Sequence, residues 1–512
     1  MTQYPYLKTG LALVTALSLA ACSSLNPAPL SEQALSEQGR ADRATAQLDV
    51  EPLVGELTLD QAMARALKYN LDRRARMMEE ALALQQFEVA RYDMLPKLLA
   101  QAGYSSRNND KISQSRNDED GTLSQSRFIS QEREHTVSSL GLSWNLLDLG
   151  VGYFSTRQAA DRALIAGEKR RKAMHLLMQD VRTAFWRAVS AQKLQAQVRA
   201  TTLVAEAALD DARTAETERL RNPLDALRYQ RQVLENLRLL EAIDQELSTA
   251  QTELAALINA PIGQPIVLAE PTFTLDKQVL AISPAVMEEA AMTSNADVRE
   301  QHYNARIARE ETRKTLVRLF PSINFNYGVH YDTDSYLVNR QWNEAGVQLS
   351  FNLFNLLTGP TQLKLADAGV SLADQRRVSV QMAVLAQVHL ARQQLANAQH
   401  QFERSDAIWQ IDRRINEHMN NREASQVQSK LDQVANQTTA ILSLLRRYQA
   451  LAQAQTAEAR LQSTLGVEPV IGSVSELSLA ELTQQLGSGQ HAWQQLADTP
   501  ATAAPKGAER AP

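Results

Sequence analysis

Residues 321–331, PSINFNYGVHY, alternate strictly between apolar and polar or very small side chains. A period of two places successive side chains on opposite faces of a β-strand. The chain around this segment is instead rich in Ala, Leu, Gln, Arg and Glu, which is the composition of helices. The sequence therefore predicts a mainly helical protein that carries a few strands, each with one apolar and one polar face.

The N-terminus has the pattern of a bacterial lipoprotein signal peptide. Lys8 precedes an apolar stretch at 11–21, which has the length of a signal-peptide core. The stretch ends in Leu-Ala-Ala-Cys, and Cys22 is the only cysteine of the chain. We expect Cys22 to become the acylated N-terminus, and Ser23 after it favours sorting to the outer membrane. The alternative is a buried or free thiol in a cytosolic protein.

Charge and hydropathy exclude other classes of protein. The net charge of −5 and the pI near 6.0 argue against a nucleic-acid binder, which normally carries a basic surplus. After the N-terminus, no apolar run reaches the roughly 18 residues that a membrane-spanning helix needs. If this chain crosses a membrane, it does so with strands.

An internal repeat runs through the chain. Asn70 and Asn295 lie in similar segments 225 residues apart, and so do two prolines that each open a strand-like segment. Further along, equivalent positions are 207 residues apart. These later pairs are Asn145 with Asn352, Asp225 with Asp432, and Asn259 with Gly466. The first copy therefore has about 18 extra residues between its two strands, in a polar loop.

Each copy contains two predicted strands of about ten residues. They lie at about 97–105 and 138–147 in the first copy, and at about 322–331 and 345–354 in the second. Ten residues cross a bilayer when the strand is tilted. Four strands cannot close into a barrel, since membrane barrels have at least eight, so the chain must oligomerise around an axis. The alternative is a soluble antiparallel sheet with one wet face.

The remainder is predicted as two helical hairpins. Residues 151–221 contain no proline, and 361–468 contain none. Asn-Pro at 222–223 and Asn-Asn at 420–421 are the turn signals. The long arms reach about 105 and 90 Å at 1.5 Å per residue, but the return arms are much shorter. The segments that supply the missing length are 58–94 and 284–319.

The lipoprotein signal, the duplicated helix–strand–strand–helix–helix plan and the segments PLDAL and KLDQV resemble the TolC-type outer-membrane factors over about residues 57–470. The resemblance implies a mainly α fold with a membrane β-barrel. In a homotrimer, long helical hairpins form an α-barrel, and four strands per chain complete a 12-stranded barrel. The implied regions are a signal peptide at 1–21, an acylated tether at 22–56, a first repeat at 57–270, a second repeat at 271–482 and a disordered tail at 483–512.

The resemblance also assigns roles to the hairpin ends. The family's adaptor-facing turn falls on Leu220, Arg221, Asn222, Pro223, Leu224 and Asp225. The acidic ring that narrows the family's entrance falls on Asp432, with Glu417 and Glu423 as weaker candidates. Rings of one acid select cations in channels. For Asp432, the alternative is a solvated charge at a helix end. The usual tip glycine is absent, and Ala435 replaces a second acid of the family.

No catalytic residue and no metal ligand are predicted. The eight histidines are never three to five residues apart, and nucleotide-binding glycine motifs are absent. We expect no enzyme activity and no cofactor besides the covalent lipid on Cys22.

The resemblance implies a passive duct in the Gram-negative outer membrane, lipid-anchored and extending into the periplasm. Its partners would be outer-membrane lipid, a periplasmic adaptor (membrane-fusion) protein and an inner-membrane transporter, in a tripartite efflux or type I-like secretion system. The alternative is a non-conducting structural envelope lipoprotein with a coiled-coil tethering role.

Overall fold

The computed structural model describes residues 29–218, 223–270, 278–423, 430–468, 474 and 476–487. The chain divides into two compact units, residues 1–52 and 53–512. The first unit contains helix α1 (Glu32–Ala46), which was not predicted because the segment shows no clear period. The helix has no buried residue and is held locally: the Ser31 hydroxyl accepts a hydrogen bond from the Ala34 amide, and Gln38 donates to Asp42 one turn later.

The second unit repeats one order of elements. The first copy comprises α2 (Leu59–Tyr69), α3 (Leu71–Tyr92), β1 (Lys97–Ser106), the short strands β2 (Ile112–Ser113) and β3 (Phe128–Ile129), β4 (Glu134–Asn145), α4 (Leu146–Thr217), α5 (Pro223–Ser248) and α6 (Ala250–Leu257). The second comprises α7 (Pro284–Ser294), α8 (Ala296–Arg318), β5 (Ser322–Asp332), β6 (Gln341–Ser350), α9 (Asn355–Glu423) and α10 (Lys430–Leu465). A last helix, α11 (Leu479–Gly487), follows. Most elements begin at the separations of 225 and 207 residues that the sequence predicts.

The four long strands form one antiparallel sheet in the order β1-β4-β5-β6. Strands of the two copies meet at its centre, where Gly141 of β4 lies opposite Gly328 of β5. The prediction of four strands is confirmed, but β4 begins four residues and ends two residues earlier than predicted, and β6 begins and ends four residues earlier. The apolar alternation continues through Leu353, yet Asn352 accepts a hydrogen bond from the Phe354 amide and turns the backbone towards α9.

Apolar side chains at helical spacing build the core between the helices. Val181, Phe185 and Val189 of α4 are fully buried, as their spacing predicts. They belong to a continuous cluster with side chains from α2, α5, α6 and α10. A second cluster joins α7, α9 and the end of α10. The 72-residue helix α4, about 108 Å long, is thus the element on which the first copy assembles.

Two asparagines at equivalent positions of the repeat join stacked helices. The Asn70 side chain caps α3 by accepting from the Arg73 amide at 3.0 Å, and its Nδ2 donates to the carbonyl of Leu257 at 3.0 Å. Asn295 caps α8 in the same way, and its Nδ2 donates to the carbonyl of Thr464 at 2.8 Å. Stacked helices therefore complete both return arms, as predicted: α3 continues α6, and α8 continues α10.

The residues that end α6 and α10 also repeat. Asn259 and Gly466 both have left-handed backbone, with φ of 51° and 69°. At Gly466 the joint is so close that a Cβ atom would overlap the carbonyl of Ser294. Glycine at this position thus allows α10 to end directly against the start of α8.

Charged side chains fix the same joint. Arg171 of α4 forms ion pairs with Glu468 and Glu168, and its Nη2 donates to the Ser294 carbonyl at 3.3 Å. Burial alone would raise the pKa of Glu468, but the contact with Arg171 and the proximity of His175 lower it to about 2. The folded protein therefore stabilises the ionised form of Glu468.

Loss of the Glu468 charge should destabilise the folded protein. Its folded-state pKa lies below the ordinary value of 4.5, so the stabilisation is complete above pH 4.5 and disappears as the pH falls towards 2. After allowance for solvent screening, we expect the Glu468 charge to contribute about 2 kcal/mol to the free energy of unfolding. Thermal unfolding followed by circular dichroism should show that Glu468→Gln is less stable at pH 7 and less sensitive to acid than the unmodified protein.

The exposed pair of Glu79 with Arg76 supplies the control, since Glu79→Gln should change the free energy of unfolding by less than about 0.5 kcal/mol. Parallel pH profiles for Glu468→Gln and the unmodified protein would contradict the assignment.

The prediction of a disordered tail is wrong for residues 483–487, which belong to α11. Leu482 and Leu486 recur at helical spacing and are buried in the cluster that contains α2. Ser478 and Glu481 form a capping box, in which each side chain accepts a hydrogen bond from the other's backbone amide. A nine-residue segment with these signals is a helix despite its polar surroundings. Residues from 488 onwards lie outside the described chain.

Candidate functional site

One face of the sheet carries polar and very small side chains from all four strands. It consists mainly of Gln101, Ser139, Gly141, Ser143, Asn145, Ser322, Asn324, Asn326, Gly328, Gly346, Gln348 and Ser350, and the apolar Leu99 and Val137 lie on the same face. Two hydrogen bonds cross the central pair of strands on this face, from Ser143 Oγ to Asn324 Oδ1 at 3.1 Å and from Asn145 Nδ2 to Ser322 Oγ at 2.8 Å. The period of two in the sequence thus produces one mainly polar surface across the four strands, which we call the polar face.

The opposite face is apolar and uncovered over much of its area. It consists mainly of Leu98, Ala100, Ala102, Tyr104, Leu140, Leu142, Trp144, Ile323, Phe325, Tyr327, Val329, Val347 and Leu349. Leu98, Val347 and Leu349 are 65%, 70% and 67% exposed. A contiguous apolar surface of this kind marks contact with lipid or with another protein surface. We call it the apolar face.

An aromatic group on the polar face was missed by the sequence prediction. Because β6 begins at Gln341, Trp342 lies opposite His330 on this face, and the two rings stack with centroids 5.1 Å apart. The imidazole also leans over Gly328, where a Cβ atom would lie 2.7 Å from His330 Nε2. Gly328 therefore provides the space for this stack. In β6 the even-numbered residues lie on the polar face and are otherwise polar or small. The aromatic Trp342 contradicts this alternation, so the sequence pattern alone could not assign it to the polar face.

Glu344 is the exposed acid of the polar face. Its side chain is 74% exposed, and its carboxylate lies 3.9 Å from His330 Nε2, too far for a hydrogen bond. No described residue donates a hydrogen bond to it. A shallow cavity of about 330 Å³ lies beside it on the polar face, between Gln101, Ser143 and Asn326. The face can hold water and small solutes.

The first hairpin end is described from Pro223 onwards. Pro223 begins α5, as its preference for the first helical position predicts. Leu224 is 53% exposed, and Asp225 is exposed with its carboxylate 3.8 Å from Arg228. The predicted tip residues Leu220, Arg221 and Asn222 lie outside the described residues.

The second hairpin end differs from the prediction. Asn420 and Asn421 do not form a turn, because α9 continues through both residues to Glu423. Asparagine costs a helix only about 0.5 kcal/mol relative to alanine, too little to end a 69-residue helix.

The predicted gate residues are placed only in part. Glu417 is exposed and pairs with Arg413 one turn earlier, at 3.4 Å. Glu423 is the last residue of α9, and Asp432 lies in the first turn of α10. The side chains of Glu423 and Asp432 lie outside the described part of the chain.

A cluster that sequence reasoning missed links the second hairpin to the first copy. Arg447 of α10 pairs with Asp406 of α9, and its guanidinium lies 4.5 Å from the ring centroid of Trp409. The neighbouring Tyr448 donates a hydrogen bond to Glu270 at 2.7 Å. That hydrogen bond lowers the pKa of Glu270 and keeps it ionised.

The described residues contain no group of three or more metal-ligating side chains. None of the described helices combines the length and the apolarity that crossing a membrane requires. Cys22 lies outside the described residues.

No family model matches the sequence, and no curated protein does. The fold is nevertheless similar to solved outer-membrane channels. CmeC of Campylobacter jejuni superposes with a TM-score of 0.60 at 11% identity, covering 84% of this chain and 89% of that one. MtrE of Neisseria gonorrhoeae, solved in its open state, superposes with a TM-score of 0.58 at 16% identity, covering 82% of this chain and 94% of MtrE. A membrane protein from Pseudomonas aeruginosa superposes with a TM-score of 0.60 at 17% identity, covering 82% of this chain and 92% of that protein. The chain has the fold of the TolC-type outer-membrane factors.

Proposed function

We propose that this chain is one of three identical subunits of an outer-membrane duct. The observation that carries the proposal is the single four-stranded sheet with one mainly polar face and one exposed apolar face. With the apolar face towards lipid and the polar face towards an axis, such a sheet is a sector of a water-filled barrel. Lipid tolerates no unpaired backbone, so the free edges at β1 and β6 require neighbouring copies. Three copies supply twelve strands.

The helical hairpins supply the wall below the barrel. Each chain contributes two hairpins, one built on α4 and one on α9, so three chains contribute six. The long arms span about 100 Å, which suits a duct that reaches into the periplasm. Solved proteins with this fold are outer-membrane channels, which supports the same role here.

The duct would passively conduct cargo delivered by a periplasmic adaptor and an inner-membrane transporter, in efflux or type I-like secretion. We assign adaptor docking to residues 220–225, where Leu224 is exposed beside a row of exposed leucines and arginines on α5. We assign narrowing of the periplasmic entrance to Asp432, with Glu417 and Glu423 as further candidates. Photo-crosslinking from positions 220 and 222 in cells should capture the adaptor.

Anchoring through Cys22 is a separate proposal with its own test. Because the thiol of Cys22 would carry the lipid, Cys22→Ser should leave the protein unacylated and uncleaved. Metabolic labelling with a palmitate analogue, together with intact-mass measurement, reports both. Ser23→Ala, with Cys22 kept, is the control that should retain the lipid. Normal labelling of Cys22→Ser would disprove the anchor.

Conductance through planar bilayers tests the duct. Purified protein should form ion-conducting pores, and a cysteine on the polar face should make them sensitive to a cationic methanethiosulfonate reagent. Ser143→Cys on the polar face and Leu142→Cys on the apolar face form a matched pair, since the two positions are adjacent in β4. We expect the reagent to reduce conductance only for Ser143→Cys. Equal responses would contradict the assignment of the two faces.

The competing function, a non-conducting envelope tether, predicts a folded oligomer without conductance. It would also predict crosslinking from the hairpin ends to structural envelope proteins instead of an adaptor. A tether needs no sheet with a polar and an apolar face, so the sheet favours the duct.

A further inference from the structure

The free edges of the sheet are repeats of the two strands that pair at its centre. β1 corresponds to β5 at a separation of 225 residues, and β6 corresponds to β4 at 207. The central strands pair from Val137 opposite Asp332 to Asn145 opposite Asn324. One chain therefore contains an example of how a strand of the β4 type meets a strand of the β1 type.

We propose that β6 of one copy pairs with β1 of the next in the register of this central pair. The inference rests on the proposed duct and specifies how its subunits join. Transferring the central register places Val347 opposite Tyr104 of the neighbouring copy, and Leu349 opposite its Ala102. On the other face, Ser350 lies opposite the neighbour's Gln101. Both faces of the sheet thus continue across the boundary between copies, which we call the seam.

Charge complementarity supports this register independently of the repeat. The transfer places Glu344 of β6 opposite Arg107, which directly follows β1 in the neighbouring copy. Both side chains are exposed in the single chain. The Arg107 side chain forms no ion pair or hydrogen bond with a described residue, and the contact of Glu344 with His330 is a long one of 3.9 Å. The Arg107 backbone amide donates to the Arg133 carbonyl at 2.8 Å, so strand pairing still orients the backbone at this position. Opposite charges directly across a strand pair stabilise it.

Other registers lose one of these features. A shift by one residue would place apolar side chains against the polar face. A shift by two residues still places polar side chains beside polar ones and apolar side chains beside apolar ones. It places Glu344 opposite Ser105 or Asn109, however, so Arg107 loses its partner. The central register alone matches both the faces and the charges.

Disulfide trapping measures the register. Directly opposite residues have Cβ atoms about 5 Å apart, close to the reach of a disulfide, whereas diagonal neighbours are about 7 Å apart. We expect Val347→Cys with Tyr104→Cys to yield covalently linked dimers and trimers on mild oxidation of the full-length protein in membranes. The matched control is Val347→Cys with Ala102→Cys, which should link at least tenfold more slowly. Within one chain, β1 and β6 are three strand spacings apart, about 14 Å, so only links between copies can form.

A charge exchange tests the ion pair. Glu344→Arg and Arg107→Glu should each reduce the fraction of trimer that resists detergent and heat, and the double exchange should restore it. Faster linking of the Ala102 pair, or no rescue by the double exchange, would overturn the register. Bilayer conductance of the same preparations separates this result from the function, since a conducting duct with another register leaves the proposed function intact.

Discussion

Gly466→Ala should strongly destabilise the folded protein. Gly466 has φ of 69°, where an L-residue costs about 1 kcal/mol, and a Cβ atom there would overlap the backbone carbonyl of Ser294. Backbone cannot move aside as a flexible side chain can, so the overlap adds about 2–3 kcal/mol. We expect a total loss of about 3–4 kcal/mol. The yield of heat-resistant oligomer in membranes and the unfolding temperature by circular dichroism measure it.

Gly263→Ala separates the overlap from the backbone conformation. Gly263 has φ of 88°, but nothing lies within 4 Å of the position of a Cβ atom. This variant should therefore lose only about 1 kcal/mol. Equal losses for Gly263→Ala and Gly466→Ala would show that backbone strain, and not the closeness of the helix joint, explains the glycine at 466.

Asn295→Ala should have the second largest effect. The side chain is buried; it caps α8 by accepting from two backbone amides, and it donates to the Thr464 carbonyl. Loss of the cap costs about 1 kcal/mol. Leaving the buried carbonyl without its donor costs about another 1–2 kcal/mol. We expect a loss of about 2–3 kcal/mol, measured as the shift in unfolding temperature.

Two further variants divide the Asn295 effect into its parts. Asn295→Ser keeps an acceptor for the cap but lacks the amide donor, so it should recover only the capping part. Ser283→Ala removes a cap from α7 at an exposed position and should cost about 0.5–1 kcal/mol. If Asn295→Ala were no worse than Ser283→Ala, the joint between α10 and α8 would not depend on the asparagine. Asn70→Ala repeats the experiment at the equivalent joint of α6 and α3.

Sequence periodicity was sufficient to predict the repeat, the four strands and the long helices. These features depend on many residues with one period, so single exceptions do not erase them. The asparagines at 70 and 295 were recognised as equivalent, but their contacts reach residues 187 and 169 positions away. Such long-range partners leave no local pattern. The role of the asparagines therefore became visible only in the fold.

Element boundaries and isolated exceptions were harder to predict. Trp342 belongs to the polar face, although an aromatic residue there contradicts the alternation. The turn signal at 420–421 was overridden by the helix around it, and α11 was hidden in a polar C-terminal region. In each case the deciding term is tertiary packing or the length of a helix, which outweighs local propensity. The residues proposed for docking and gating rest on family resemblance, since an exposed charge at a hairpin end has no periodic signature.

The packing of α11 against α2 has a consequence for the order in which the chain can mature. In a polypeptide that is synthesised from its N-terminus, α2 is made early, whereas Leu482 and Leu486 are made only after both repeats. Until then, part of the apolar surface of α2 is exposed to solvent. A chain interrupted before residue 479 should thus be open to proteases at its first repeat, although all strands and long helices are already present.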